Sequence, residues 1–133
     1  MSLFNVMNIA GSALTAQSAR LNAVASNLAN ADSMAGADGQ PYRAKQVQFR
    51  AMSVEGGGLG VRAIDVVDSN APMRLTYDPA SPAANELGYV TMPNVNPIEE
   101  MVNMISASRS YQNNAEVLAA AKSLVQKTLA IGQ

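Results

Sequence analysis

Apolar residues in the first thirty positions recur at a spacing that a β-strand cannot use. Met7, Leu14, Leu21 and Leu28 stand seven residues apart, and Ala10, Gln17, Val24 and Ala31 follow three places later in the same register. Four repeats, broken only by Gln17, make an a/d heptad, which places both rows on one face of a helix. Residues 3–31 contain no proline and one glycine, Gly11. The pattern predicts a single helix of about 42 Å, at about 1.5 Å per residue.

The far end has the same period. Asn96 suits an N-cap, Pro97 the first helical position, and Glu99 stands three after the cap. Met104, Tyr111, Leu118 and Val125 form one heptad row, with Ala107, Asn114, Ala121 and Thr128 as a small, partly polar companion. Val117, Leu124 and Ile131 add a second apolar row, and Gly132 is the expected stop. This helix should span about 52 Å.

Between the helices the period falls from seven to two. Asp32, Ser33, Gly36, Asp38, Gly39 and Pro41 end the first helix. Residues 46–50 then alternate, with Val47 and Phe49 on one face. Residues 61–68, 73–77 and 88–92 suggest about three short strands, separated by the Gly56-Gly57-Gly58 stretch and by turn signals at Asp78-Pro79 and Ser81-Pro82. The expected fold is mainly α with a small β insertion. Its segments are an N-terminal coiled-coil helix (1–31), an extended linker (32–56), a small β unit (57–93) and a C-terminal coiled-coil helix (94–133). The two long helices are expected to pair as an antiparallel coiled coil.

One seam between two helices does not use up the apolar residues. Val6 and Ile9 flank the first row, and Met101 and Ile105 stand off the second. Either neighbouring copies or related subunits cover them, or the β unit folds back over them. A unit of about 40 residues is small against about 50 Å of helix, which favours assembly. Asparagine points the same way. Asn22, Asn27, Asn30, Asn103, Asn113 and Asn114 occupy helical segments. Asparagine is a mediocre helix former, but when buried it fixes register between helices; exposed surface asparagine is the plain alternative.

Composition narrows the classes further. Aromatics are 5% and Trp is absent, so the apolar content is mainly Ala, Val, Leu and Met, which suits closely packed helices. A net charge of −1 without a basic patch disfavours nucleic acid. There is no Cys, so thiolate and disulfide chemistry are excluded. No run of about 18 apolar residues suggests a transmembrane segment. The first basic residue is Arg20, which is unlike the charged start of a cleaved secretory signal.

Candidate chemistry is thin. The Gly56–Gly58 loop lacks the Lys-Ser/Thr of a phosphate cradle. Asp65 and Asp68 have no His or Cys to help hold a metal. Glu99 and Glu100 suit the helix dipole better than acid–base work. Ser123 and Lys127 stand one turn apart without an oxyanion element. No catalytic, cofactor or metal site is expected.

The residues Ala13-Leu14-Thr15-Ala16-Gln17-Ser18-Ala19-Arg20-Leu21-Asn22 and Ala25-Ser26-Asn27-Leu28-Ala29-Asn30-Ala31 resemble the N-terminal signature of flagellar rod, hook and hook-associated proteins. The block from Glu100 to Asn114, with Ser108-Arg109-Ser110-Tyr111-Gln112-Asn113, resembles their C-terminal signature. Pro41-Tyr42-Arg43-Ala44-Lys45, Gly88 to Asn96 and the short length are similar to the proximal-rod members. A His-Pro pair common in those relatives is missing from the variable stretch 77–82, since this chain has no His.

The resemblance implies a structural axial subunit and no enzyme. Its helices would pair as a coiled coil lining the inner tube of the rod, with the middle facing outward. It would be exported unfolded through the flagellar type III apparatus without a cleaved signal. It would assemble in the periplasm, with copies of itself and the other rod proteins, near the MS ring and its rod-to-ring adaptor. Helix faces and resemblance together nominate as subunit-interface residues Met7, Leu14, Gln17, Leu21, Asn22, Asn27, Leu28 and Asn30 on the first helix. On the second they nominate Met101, Met104, Ile105, Arg109, Tyr111, Asn114, Leu118 and Val125. The heptads alone would also suit a small soluble helical adaptor.

Overall fold

The structure, a computed structural model, describes residues 2–36 and 38–132. Helix α1 (Leu3–Ala29) opens on Ser2, whose hydroxyl accepts from the Phe4 amide (3.1 Å). Helix α2 (Pro97–Ile131) opens as the sequence predicts: the Asn96 side chain accepts from the Ile98 amide (3.1 Å), Pro97 takes the first turn, and Glu99 and Glu100 face the positive end of the dipole. It ends at Gly132, whose φ of −84° asks for no glycine.

The helices run antiparallel. Arg20 on α1 reaches Asn103 on α2, Asn27 reaches Glu100, and at the opposite end Leu3 and Phe4 share a cleft with Val125 and Leu129. Ala107 and Ala121 are the buried residues of α2, on the row expected to be small, and Ala10, Ala16, Ala23 and Val24 are buried on α1. Side chains this short let two backbones approach closely.

The middle differs from the expectation of a linker followed by three strands. Strand β1 (Lys45–Ser53) pairs antiparallel with β2 (Leu59–Asp68), and β3 (Arg74–Tyr77) pairs antiparallel with β4 (Tyr89–Met92). These are two separate two-stranded sheets. The segment expected as an extended linker is therefore half of a hairpin, and the boundary drawn at 56/57 falls inside its turn. Gly56, Gly57 and Gly58 all have φ near +90° to +104°, a run that only glycine adopts without strain. The triple glycine forms the turn of this hairpin. Between Asp65 and Ala63 the register skips Ile64, a bulge that bends the hairpin.

The hairpin lies on α1. Asn5, 4% exposed, donates from Nδ2 to the Gly56 and Gly57 carbonyls, and the Ser12 hydroxyl accepts from the Val61 amide (3.1 Å). A methyl on Gly58 would sit 3.1 Å from Ile9. The β unit thus does fold back, but onto α1, where it meets Ile9. No strand packs on α2.

The β3–β4 sheet stands apart as an arm, packed on neither helix. Its base is tied to the end of α1, where the Arg74 guanidinium donates to the Ala31 carbonyl (3.2 Å) and pairs with Asp32 (2.7 Å). Asn94 staples the base to the hairpin: Oδ1 accepts from the Ala44 amide (2.8 Å), and Nδ2 donates to the Ala71 carbonyl (2.9 Å).

Candidate subunit interface

Apart from Pro93, the buried apolar side chains among the described residues are alanine and valine. The large ones lie outside. On α2, Ile98, Met101, Val102, Ile105, Val117, Leu124 and Ile131 are exposed, Ile98 to 74%. At 100° per residue Ile98, Met101, Val102 and Ile105 fall opposite Ala107, whereas Val117, Leu124 and Ile131 fall along one flank of Ala121. The result is an apolar strip down α2 that neither α1 nor a strand covers.

The sixteen nominated residues separate into three groups. Met7, Leu14, Gln17, Leu21 and Leu28 on α1, and Met104, Asn114, Leu118 and Val125 on α2, are half-buried. Asn30 is also half-buried, and its Nδ2 is used within α1, donating to the Ser26 carbonyl (2.9 Å). Asn114 likewise donates to the Ser110 carbonyl (2.7 Å). Gln17 keeps a buried Oε1 without a hydrogen-bond partner. Asn22, Met101, Ile105, Arg109 and Tyr111 are exposed and remain free to meet another molecule.

Asn27 forms the third group and corrects the expectation. It is 1% exposed, so no neighbour can reach it. Nδ2 donates to the Lys45 carbonyl (2.9 Å) and to Glu100 Oε2 (3.1 Å). Oδ1 accepts from the Lys45 amide (2.7 Å) and the Tyr42 hydroxyl (2.9 Å). One amide thereby joins α1, the entry to β1 and the start of α2. A carboxamide suits this position because it both donates and accepts at a fixed spacing. Its register-fixing role operates inside the chain.

Two more contacts were not foreseen. Arg20 Nη2 donates to Asn103 Oδ1 (3.1 Å), tying the helices mid-length. Lys45 Nζ pairs with Asp68 across the hairpin, and this hydrogen bond to the carboxylate raises the lysine pKa above its usual 10.5, against a small opposing effect of burial. The Lys45–Asp68 pair was legible as opposite charges at the two ends of alternating segments. Arg20–Asn103 had no such signal.

Among the described residues no cluster of three or more carboxylates forms, and no helix is long and apolar enough to cross a membrane. Glu100 is taken by Asn27, Asp68 by Lys45, and Asp65 caps the Val66 amide (2.8 Å).

The sequence is similar to those of known proteins. Residues 7–37, most of α1, match the family of flagella basal body rod proteins. Residues 86–131, from the arm through α2, match the flagellar basal body rod FlgEFG protein C-terminal family. Over their whole lengths, the chain is 59% identical to the flagellar basal-body rod protein FlgC of Escherichia coli O6:H1 and 58% identical to that of Salmonella typhimurium. It is 38% identical to the protein of the same name from Borreliella burgdorferi, with all of this chain and 99% of that one covered. Matches at both helices, and along the whole length between them, show that the chain belongs to the FlgC family of flagellar basal-body rod proteins.

Proposed function

We propose that this chain is a structural subunit of the proximal rod of the flagellar basal body, and that the outward face of α2 is one of the surfaces through which it assembles. It is no enzyme. The observation that carries this reading is the inverted distribution of apolar residues. Alanine and valine fill the inside, while isoleucine, leucine and methionine line an uncovered strip of α2. Burying such a strip contributes about 25 cal/mol per Å², and in a lone chain that contribution is forgone. A self-contained adaptor would keep those side chains inside.

Within this reading the helix pair is the coiled coil that lines the inner tube of the rod, and the β elements face outward. The neighbours are other rod proteins and further copies of this chain, with the rod-to-ring adaptor and the MS ring at one end. Delivery to the periplasm runs through the flagellar type III export apparatus. Low aromatic content and a core of small residues suit a chain that must be threaded unfolded and refold at its destination.

A double substitution on α2, Val117→Asp with Leu124→Asp, tests the reading. Both residues are about half exposed, 46% and 51%, so the purified chain should lose less than about 1 kcal/mol of stability. In a flagellated strain lacking its own copy, the variant should fail to restore swimming and be missing from isolated basal bodies. Full swimming, with the variant present in basal bodies, would overturn the assignment of this face.

A further inference from the structure

The tip of the β3–β4 arm is braced by its own hydrogen bonds, yet the arm packs on neither helix. Asn85 Oδ1 accepts from the Leu87 amide (3.0 Å) and the Tyr89 amide (2.9 Å), and the Asn85 amide donates to the Tyr89 carbonyl (2.9 Å). The Asp78 amide donates to the Gly88 carbonyl (2.9 Å). Gly88 has φ +81°, and a Cβ there would stand 2.8 Å from the Tyr77 ring. Tyr77 and Tyr89 pack edge to face at 5.3 Å. All this order serves to hold Leu87, 76% exposed, out in water beside the carboxylate of Glu86. A loop already ordered gives up little entropy on docking.

A receptor of matching chemistry exists on α2. A shallow groove of about 360 Å³ is lined by Val102, Ile105, Ser106, Arg109, Ser110 and Asn113. Val102 and Ile105 are 62% and 55% exposed. Among the described residues, neither Arg109 nor Glu86 has an ion-pair partner. Ile105 and Arg109 are one helical turn apart, about 6 Å. The adjacent residues Leu87 and Glu86 can span that distance, with leucine on the apolar part and carboxylate on the guanidinium. The arm does not pack on the α2 of its own chain.

We propose that the arm of one copy docks on α2 of a second copy, with Leu87 against Val102 and Ile105 and Glu86 paired with Arg109. The inference rests on the rod reading and supplies one of its contacts. Arm and groove are different surfaces, so the contact is head-to-tail. Repeated without closure, such a contact builds a helical assembly.

The chain has no cysteine, so Leu87→Cys with Ile105→Cys gives a clean test. The double variant is expressed with an affinity-tagged copy in a strain lacking its own gene. Cells are oxidised mildly, and basal bodies are analysed on non-reducing gels. The expected result is a ladder of covalent multimers, including tagged–untagged pairs, with neither single variant giving one. Monomer alone in assembled basal bodies overturns the proposal, as does a bond closed within one chain. If the cysteine variants do not assemble, charge exchange decides. Glu86→Arg and Arg109→Glu should each reduce swimming, and the two together should restore it; two single variants that swim normally, or a pair that stays impaired, overturn the docking. Failure of the rod reading looks different: the unmodified chain would itself be missing from basal bodies.

Discussion

Replacing Asn27 with alanine removes a side chain that makes four hydrogen bonds, at 2.7 to 3.1 Å, to three segments of the chain. Each is worth about 1 kcal/mol net, and a buried partner left without one costs about 1–3 kcal/mol more. Lys45 and Glu100 are only half-buried, so water recovers part of the loss there. The Tyr42 hydroxyl keeps a second contact with Ser26 (3.1 Å). We expect a loss of about 3–5 kcal/mol, a large share of the about 5–15 kcal/mol that holds a typical domain together. Urea unfolding followed by far-ultraviolet circular dichroism measures it. With a slope of about 1–3 kcal/mol per molar urea, the midpoint should fall by at least about 1 M, and the Lys45 amide should exchange faster with solvent. A midpoint within about 0.3 M of the original, with Lys45 exchange unchanged, would refute the view of Asn27 as an internal lock and return it to the candidates for contact between subunits.

Other substitutions probe separate parts of the fold. Ala107 is fully buried, so Ala107→Leu should overpack the helix seam and cost about 1–3 kcal/mol by the same urea assay. Gly56 has φ +90°, and a Cβ there would lie 2.4 Å from Asn5 Oδ1; Gly56→Ala should cost about 2 kcal/mol and lower the thermal midpoint, as Asn5→Ala should. Asp68→Asn should cost less than about 1 kcal/mol at pH 7, because both partners are substantially exposed. Folding raises the Lys45 pKa, so the contribution of the pair is complete below 10.5 and is lost as pH rises through the folded-state value. The variant and the original chain should therefore converge in stability above that range.

The helices were legible because heptads and caps are local signals. The Asn96–Pro97 start of α2 follows from residues within a turn of that boundary, while α1, read as far as Ala31, ends at Ala29. The hairpin was only half legible. Val47 and Phe49 announced an extended segment, but its pairing with the strand beyond Gly56-Gly57-Gly58 was not read from the sequence. The carbonyls of Gly56 and Gly57 accept from Asn5, about fifty residues away in sequence. Surplus apolar rows were visible on both helices, yet only the structure shows that the hairpin covers α1 and leaves α2 bare. Asn27 marks a limit of another kind. A buried asparagine announces that something is fixed in place, but its own letter does not say whether the partner belongs to the same chain.

Polar contacts from α1 to the rest of the chain include those of Asn5, Ser12, Arg20 and Asn27, one every seven or eight residues along its length. Apolar surfaces resist being pulled apart but slide past each other with little penalty, whereas hydrogen bonds are directional and oppose sliding. At about 11 Å intervals, these contacts act like rivets along a laminated beam, with the hairpin on one side of α1 and the second helix on the other. A turning shaft loads its members in shear. Contacts spaced in this way resist sliding of the hairpin and α2 along α1, whereas the arm is held mainly at its base.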